Sequence, residues 1–337
     1  MPEIIRPTDE SQFDIDGRMS VQAMDIPSFR KLVAMERGVL NNIMVTTRGG
    51  LGDNICTEPA IRYACKNFRS DIFVATQHPQ LFWHLPLVKT FDVAKELPNW
   101  IDYLNYKTLA DMDDLLCEFH MHMYSHVVDY HSMLMWRVQL PPKDKQPKIV
   151  CSKEHFATVD CLLRKDTDVL IHPGRTWPSR TLPKWWWDQI TFNLLKTGLR
   201  PVIIGSEVEN GCGFIEIETN GCLDLRGKLT VMESVALCQK ANAIITNDSS
   251  PLHMAATGDA YIAFASTVKP PDLLMHWRHG EYGWRMKNFT NDWLCNHLDT
   301  TPTNTNMVDF TKADPGPWLK KPKEVTDWIN EIWQVQN

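Results

Sequence analysis

The chain alternates short apolar runs with longer segments of helical spacing, and most of the apolar runs end in a turn rich in Gly, Ser, Asn or Asp. This alternation predicts parallel strands that are joined by crossover helices. The chain is therefore expected to be an α/β protein, with its ligand sites at the carboxyl ends of the strands. The strand-like runs are NNIMVTT (41–47), DIFVAT (71–76), DVLIH (168–172), RPVII (200–204), AIITN (243–247) and AYIAFAS (260–266).

Two domains are expected from the length of 337 residues, since a domain usually has about 100–200 residues. A Pro- and Lys-rich segment, PPKDKQPK (141–148), interrupts the alternation and marks the approach to a boundary. Two α/β domains that face each other would form a cleft between them. The predicted parts are an N-terminal extension (1–42), a first domain (43–150), a second domain (151–320) and an amphipathic C-terminal helix (321–337) that packs back on the first domain.

The composition excludes several classes of protein. The formal net charge of −6 gives no overall basic field for nucleic acid or anionic lipid. The N-terminus has no signal-peptide pattern, and no apolar stretch approaches the ~20 residues of a membrane span. A cytoplasmic protein without a transmembrane segment is expected. The nine Cys include no CxxC pair, so they are expected to be reduced core residues.

The first apolar run ends in a glycine turn, Gly49-Gly50-Leu51-Gly52-Asp53. Glycines such as Gly50 and Gly52 let backbone N–H groups approach a ligand closely. The spacing matches neither GxGxxG nor a P-loop, so neither of those nucleotide sites is expected. The Asp53 carboxylate is placed either to accept a proton from an attacking hydroxyl or to cap the following helix, and the turn by itself leaves both roles open.

Two arginines follow the strand-like run DVLIH, within HPGRT (172–176) and SRTLP (179–183). The planar donor forks of Arg175 and Arg180 suit phosphate oxygens, and the hydroxyl of Thr176 adds a neutral donor. The alternative is a solvated loop with surface arginines. The sequence therefore predicts an anion site at this turn, with that alternative open.

The run AIITN is followed by Asp248-Ser249-Ser250-Pro-Leu-His253. Ser249 and Ser250 lead into a short helix whose amides are placed to hold a pyrophosphate. Asp248 is acidic, so it is expected to fix the loop or to contact a sugar hydroxyl rather than a phosphate. His253 either reaches a phosphate or packs in the interior.

A fourth turn, GSEVE (205–209), again lies at a strand end. Its carboxylates, Glu209 in particular, would suit the two hydroxyls of a ribose, although a solvent-facing cap is an equal alternative. Elsewhere three histidines, His120, His122 and His126, lie in a strand-like stretch, and YSHVVDYH (124–131) also reads as a strand. No metal site is expected there, because no Cys or Glu pair completes the three or four ligands of a zinc site.

Taken in order, these turns resemble those of glycosyltransferase family nine, the heptosyltransferase family. The family's G-x-G-D turn and T/E-x-P-A helix correspond to GGLGDNICTEPAI (49–61). Its hydroxyl-bearing turn before a W/L-P pair corresponds to IHPGRTWPSRTLPKWWW (171–187). Its D-[ST]-[GS]-x-x-H-x-A-A block corresponds to the end of LRGKLTVMESVALCQKANAIITNDSSPLHMAA (225–256). The resemblance extends over roughly residues 43–285.

This resemblance implies a GT-B fold, which has two Rossmann-like domains with the donor in the cleft between them. The first domain would bind the acceptor, and the second would bind the nucleotide-diphosphate sugar. This sugar nucleotide is a co-substrate, and no cofactor is expected. The reaction would be an inverting, metal-independent transfer to a hydroxyl of a glycan or another acceptor. The family's base falls on Asp53, its phosphate contacts on Thr176, Arg180 and the amides of Ser249 and Ser250, its acidic and histidine positions on Asp248 and His253, and ribose recognition near Glu209.

Two other functions stay open. One is a bacteriophage-type DNA glycosyltransferase that modifies a hydroxymethylated base. The acidic net charge argues against it. The other is a non-catalytic nucleotide- or sugar-binding protein, which the presence of Asp53, Arg180 and Asp248 argues against. Local phosphate contacts of the DNA enzyme would come from Arg62, Lys66, Arg69, Lys143, Lys145 and Lys148.

Overall fold

The computed structural model describes residues 42–47, 50–67, 71–92, 108–111, 127–136, 139–174, 182–206, 216–265, 285–289 and 320–336. Contacts between Cα atoms divide the chain into two compact units, Met1–Val150 and Cys151–Asn337. Each unit has its own sheet, and the described strand pairs in both sheets are parallel. The α/β fold with parallel sheets that the alternation predicts is therefore confirmed. The predicted N-terminal extension lies, apart from Asn42, outside the described residues.

The first unit contains a four-stranded parallel sheet in the order β3-β2-β1-β4. β1 and β2 are in register along their whole length, so Thr47 and Thr76 lie side by side at the carboxyl edge. The elements are β1 (Asn42–Thr47), α1 (Leu51–Asn67), β2 (Asp71–Thr76), β3 (Val88–Asp92), β4 (Thr108–Asp111) and α2 (Val127–Trp136), with 3-10 turns at Pro79–Phe82 and Pro142–Asp144.

The segment YSHVVDYH is not the strand that its composition predicts, because residues from Val127 onward form α2. Val128, His131, Ser132 and Met135 of α2 are buried and recur with the three- and four-residue spacing of a helix, and Asp129 is buried beside them. Val128 packs with Cys56 of α1 in a small apolar cluster. Packing against α1 therefore outweighs the strand preference of the β-branched pair at the start of the segment.

The second unit contains a six-stranded parallel sheet in the order β10-β9-β8-β5-β6-β7. Its central strands β5 and β8 are buried along their whole length. The elements are α3 (Lys153–Leu162), β5 (Asp168–His172), α4 (Lys184–Lys196), β6 (Arg200–Ile203), β7 (Leu223–Asp224), α5 (Val231–Lys240), β8 (Ala243–Asn247), α6 (Ser250–Ala255), β9 (Tyr261–Ala265), β10 (Met286–Asn288) and α7 (Pro322–Gln336).

The C-terminal helix α7 is predicted from its sequence to pack back on the first domain, but its buried side chains join the core of the second unit. Val325, Ile329 and Trp333 recur at four-residue spacing, and all three are buried against α4 and the sheet. The indole of Trp333 also donates to the carbonyl of Asp166, at 2.8 Å. The amphipathic pattern identifies the helix correctly, but it does not specify which apolar surface the helix covers.

The Trp-rich start of α4 is mainly a packing feature. Trp186 and Trp187 are buried and meet edge to face, with ring centroids 4.9 Å apart. The indole of Trp186 donates to the carbonyl of Lys320, which ties the start of α7 to α4. Trp185 is exposed on the outer face of the helix. Among the helices that the structure describes, none is long and apolar enough to cross a membrane.

Candidate functional site

The glycine turn after β1 is held by the side chain of Asn54, which is buried in the first turn of α1. Thr47 and Thr76, at the ends of β1 and β2, both donate a hydroxyl to Asn54 Oδ1, each at 2.5 Å. The amide nitrogen Nδ2 of Asn54 donates in turn to the carbonyl of Gly50, at 3.1 Å. This one side chain therefore joins two strand ends to the turn, so the start of α1 is fixed at the carboxyl edge of the sheet.

Asp53 lies at this edge as an exposed residue in the first turn of α1. It is the third residue of the helix, with Leu51 and Gly52 before it, so it does not occupy the N-cap position. Its Oδ2 lies 3.6 Å from the point that a β-carbon on residue 50 would occupy, so it overlies the bare backbone of Gly50. Within the described part of the chain its carboxylate has no hydrogen bond or ion pair. An approaching ligand can therefore reach it.

In the second unit, the corresponding edge brings together the ends of β5 and β8. His172 ends β5 and pairs in register with Thr246 of β8, which places Asn247 one residue further along. Asn247 Nδ2 donates to the carbonyl of Gly174, at 2.7 Å. This hydrogen bond connects the turn after β5 to the turn after β8. The two turns that the sequence predicts as anion sites therefore start from the same place in the sheet.

Ser249 joins this group through its hydroxyl. Its Oγ lies 3.0 Å from Nδ1 of His172 and 3.3 Å from Oγ1 of Thr246. His172 Nδ1 also lies 3.4 Å from Oδ1 of Asn247. Burial lowers the pKa of His172 to about 4, although its hydrogen bond with Asn247 acts in the opposite direction. At neutral pH the imidazole is therefore uncharged and has one N–H and one lone pair.

The short helix α6 places four predicted residues next to this polar group. Ser249 is the N-cap, in an extended conformation with φ −157°, and it makes no side-chain capping bond. Ser250 begins the helix, and both serines are partly exposed. Asp248 and His253 are buried, with 3% and 7% of their surface exposed. The two serines are therefore the accessible members of the set.

Four predicted site residues, Arg175, Thr176, Arg180 and Glu209, lie outside the described residues. The last described residue before the first three is Gly174, whose carbonyl is held by Asn247.

Residues 114–262 match the model of a family described as glycosyltransferase family 9 (heptosyltransferase). This region of the chain is therefore similar to glycosyltransferase family 9. The predicted resemblance to this family is thus confirmed, and with it the enzyme class, glycosyltransferase. The match includes the second and third sequence motifs, whereas the glycine turn of the first motif lies before it. A search among curated proteins found no match.

Solved structures support the fold of this chain. The ADP-heptose lipopolysaccharide heptosyltransferase II of E. coli is 14% identical, with a TM-score of 0.57, over 88% of this chain and 99% of its own. A family 9 glycosyltransferase from Veillonella parvula gives the same identity and TM-score over 88% and 98%. The iron-containing dodecameric glycosyltransferase TibC from enterotoxigenic E. coli is 14% identical, with a TM-score of 0.64, over 88% and 77%. At these identities the likeness concerns the fold, and it agrees with the predicted GT-B class.

Two basic residues that the DNA-modifying alternative requires are engaged inside the first unit. Arg62 is buried and forms an ion pair with Glu58, with Nε 2.7 Å from Oε1. Lys145 is buried and forms an ion pair with Asp129 at 2.6 Å. Neither side chain is available for a phosphate backbone, so the prediction of DNA contacts is wrong at these two positions. Lys66 is exposed and pairs only weakly with Asp144, at 3.7 Å.

Only part of the histidine-rich stretch belongs to the described residues. His120, His122 and His126 lie outside the described residues, whereas His131 belongs to α2 and has its Nδ1 3.5 Å from Thr57 Oγ1. Among the residues that the structure describes, no three His, Cys, Asp or Glu side chains converge as metal ligands do.

A cavity of about 300 Å³ lies at the amino edge of the second sheet, opposite the strand ends described above. Lys165, Lys240 and Arg285 contribute to its lining. Lys240 already forms an ion pair with Asp160, and Arg285 forms one with Asp259 at 3.4 Å. Two of the three cations named here are thus already paired with carboxylates.

Asn54 and Asn247 are the site residues that sequence reasoning missed. Each lies inside a quoted motif, directly after Asp53 in one case and directly before Asp248 in the other. Asn is common near the turns that follow strands, so its identity alone carries little information. The sequence signal that could have identified them is their position close to the carboxyl end of a predicted strand, where a side-chain amide can join neighbouring strand ends.

Proposed function

We propose that this glycosyltransferase moves a sugar from a nucleotide-diphosphate donor to a hydroxyl acceptor, with inversion at the anomeric carbon and without a metal ion. The observation that carries the proposal is the hydrogen bond from Asn247 to the carbonyl of Gly174. It joins the two turns whose arginines, hydroxyls and amides suit a diphosphate. TibC has been crystallised in complex with ADP-D-β-D-heptose, which supports a donor of this chemical class.

In this proposal the second unit stabilises the leaving group. As the bond from the anomeric carbon to the diphosphate oxygen breaks, the electron pair leaves with the diphosphate, and negative charge increases there. Arg180, Thr176 and the amides of Ser249 and Ser250 would stabilise this charge, and Arg175 would add to the positive field. Glu209 would hold the ribose hydroxyls, and Asp248 and His253 would fix the turn.

In the first unit, Asp53 would act as the general base. Its carboxylate would take the proton of the acceptor hydroxyl while that oxygen forms the new bond to the anomeric carbon from the opposite side. The exposed position of Asp53 supports this role, since an acceptor has to reach it. Glycines 50 and 52 keep the adjacent backbone free of side chains. The acceptor is proposed to be a glycan or another hydroxyl compound.

Donor turnover is the experiment that tests this function. The purified chain is incubated with a panel of nucleotide-diphosphate sugars in EDTA, and release of the nucleoside diphosphate is followed. At least one donor is expected to be consumed, and the rate should match that of a sample without chelator. Consumption of no donor over long incubation would indicate a binding protein. Loss of turnover in EDTA that Fe²⁺ or Mg²⁺ restores would reject the metal-free mechanism.

Arg180→Ala is expected to weaken binding of the nucleoside diphosphate by about 10- to 100-fold, because a hydrogen bond to a charged group contributes about 1.5–3 kcal/mol. Arg180→Lys is the matched control. It keeps the positive charge but loses the planar fork, so it should lose less affinity than the alanine variant. Calorimetric titration of both variants measures the difference. Unchanged affinity of the alanine variant would remove Arg180 from the phosphate site.

A further inference from the structure

The hydroxyl of Ser249 has a single proton, and its neighbours determine where that proton points. In the described part of the chain its Oγ is near Nδ1 of His172 at 3.0 Å, Oγ1 of Thr246 at 3.3 Å and the carbonyl of Asn247 at 3.4 Å. A hydroxyl donates once and accepts up to twice. If His172 accepts from Ser249, the proton is used inside the protein. If His172 donates, the proton is available to a ligand.

The side chain of Asn247 decides between these two arrangements. Its Nδ2 donates to the carbonyl of Gly174 at 2.7 Å, a short contact that sets the orientation of the amide. Its Oδ1 is thereby turned toward Nδ1 of His172, at 3.4 Å. An amide oxygen only accepts, so a lone pair on Nδ1 would face another lone pair there. A proton on Nδ1 instead allows the ring to donate to both Oδ1 and the hydroxyl of Ser249.

The ring of His172 is also neutral, so the choice of nitrogen matters. Burial holds its pKa near 4, which leaves one N–H on the imidazole at neutral pH. With that proton on Nδ1, Ser249 Oγ accepts at 3.0 Å. Thr246 uses its own proton on the carbonyl of Asn247, at 3.1 Å. The remaining contacts of Ser249 are long, so its proton is the one that a charged acceptor can attract.

We propose that Asn247 and His172 are positioning residues that hold the Ser249 hydroxyl as a hydrogen-bond donor for the diphosphate of the sugar nucleotide. The proposal rests on the function proposed above. The carbonyl of Gly174 orients the amide, the amide selects the tautomer of the ring, and the ring occupies a lone pair of Ser249. The donor is thus oriented before the nucleotide binds, which lowers the cost of binding.

The tautomer of His172 is the first test, and it is independent of activity. Long-range ¹H–¹⁵N correlation spectra of the full chain without nucleotide distinguish Nδ1–H from Nε2–H. The His172 signals are assigned by their disappearance in His172→Asn. We expect the Nδ1–H form at pH 7. A ring protonated on Nε2 would overturn the proposal even if the enzyme turns over its donor.

The second test is coupling between His172 and Ser249 in binding of the nucleoside diphosphate selected by the donor panel. In His172→Asn the amide nitrogen takes the place of Nδ1, whereas in His172→Gln it lies near Nε2. We expect near-normal affinity for the asparagine variant and an affinity about 10-fold lower for Ser249→Ala and for His172→Gln. The double variant His172→Gln/Ser249→Ala should bind the nucleoside diphosphate no more weakly than Ser249→Ala, because both changes remove the same hydrogen-bond donor, the Ser249 hydroxyl.

If the losses of affinity in the two single variants multiplied in the double variant, the positioning role of His172 would be overturned. Thermal unfolding of each variant identifies one that has lost its fold, in which case the tautomer of the wild-type ring alone decides. Failure of the proposed function is distinguishable, because it shows as no donor turnover by the wild type. Turnover by the wild type together with unchanged affinity of Ser249→Ala overturns this inference alone.

Discussion

Asp53→Asn lowers the rate of sugar transfer by about 1,000-fold, while the affinity for the nucleoside diphosphate stays within about twofold of the wild type. A positioned general base contributes about 10²–10⁴ to a rate, and the amide cannot accept the proton of the acceptor hydroxyl. The substitution keeps the size of the side chain, and within the described residues the carboxylate has no hydrogen bond to lose. The fold should therefore be unaffected.

The measurement for Asp53 combines initial transfer rates with calorimetric titration of the nucleoside diphosphate. Asp71→Asn is the matched control, since Asp71 is an exposed aspartate at the amino edge of the same sheet. The control should transfer sugar at the wild-type rate. The base assignment would be wrong if Asp53→Asn transferred sugar at a rate close to that of the wild type. It would also be wrong if the main effect of the substitution were a loss of affinity for the nucleoside diphosphate.

Glu58→Ala destabilises the first unit by about 3–5 kcal/mol, the usual cost of leaving a buried charge without its partner. Glu58 is 0% exposed and Arg62 only 8%. The carboxylate accepts from Arg62 Nε at 2.7 Å and from the backbone N–H of Lys148 at 2.8 Å. It therefore joins α1, the helix that carries Asp53, to the segment around Lys148. Its loss removes the closest carboxylate of the buried guanidinium, which keeps only the carbonyls of Asp144 and Gln146 and a 3.9 Å contact with the Asp144 carboxylate.

Urea unfolding of the full chain measures this loss. Glu58→Gln is the first control, because it keeps the shape and one acceptor oxygen, so it should lose less stability than the alanine variant. Lys89→Ala is the second control. It removes an exposed ion pair with Asp71 at 3.2 Å, which contributes at most about 1 kcal/mol. If the free energy of unfolding of Glu58→Ala lay within about 1 kcal/mol of the wild-type value, the buried ion pair would not be what stabilises the position of α1.

Six of the described strands could be predicted from the sequence, because they carry the signal within themselves: β1, β2, β5, β6, β8 and β9. The short strands β3, β4, β7 and β10 are not among the predicted runs. DIFVAT and AIITN are β2 and β8 with the predicted bounds, since both are apolar runs that end at polar turns. The start of α2 could not be predicted, because Val127 and Val128 favour a strand locally and only the contact with α1 selects the helix. The destination of α7 likewise depends on which apolar surface is free.

In the candidate site, too, features that lie along the chain could be predicted, whereas contacts between distant segments could not. The motifs identify Asp53, Ser249 and Ser250, because glycine and hydroxyl turns after strands are signals along the chain. They do not identify the roles of Asn54 and Asn247, whose amides act across neighbouring strands that are distant in sequence. Nor do they separate a buried cation from an exposed one. Arg62 is one of the predicted DNA phosphate contacts, yet it is buried and paired with Glu58, one helical turn away.

A crystal structure of the chain with the nucleoside diphosphate selected by the donor panel tests the central claim most directly. That claim is that the carboxyl edge of the second sheet holds the leaving diphosphate. We predict phosphate oxygens within hydrogen-bond distance of the Ser249 hydroxyl and the Ser250 amide, with Arg180 in contact with them. A diphosphate bound instead in the cavity at the amino edge, among Lys165, Lys240 and Arg285, would contradict it.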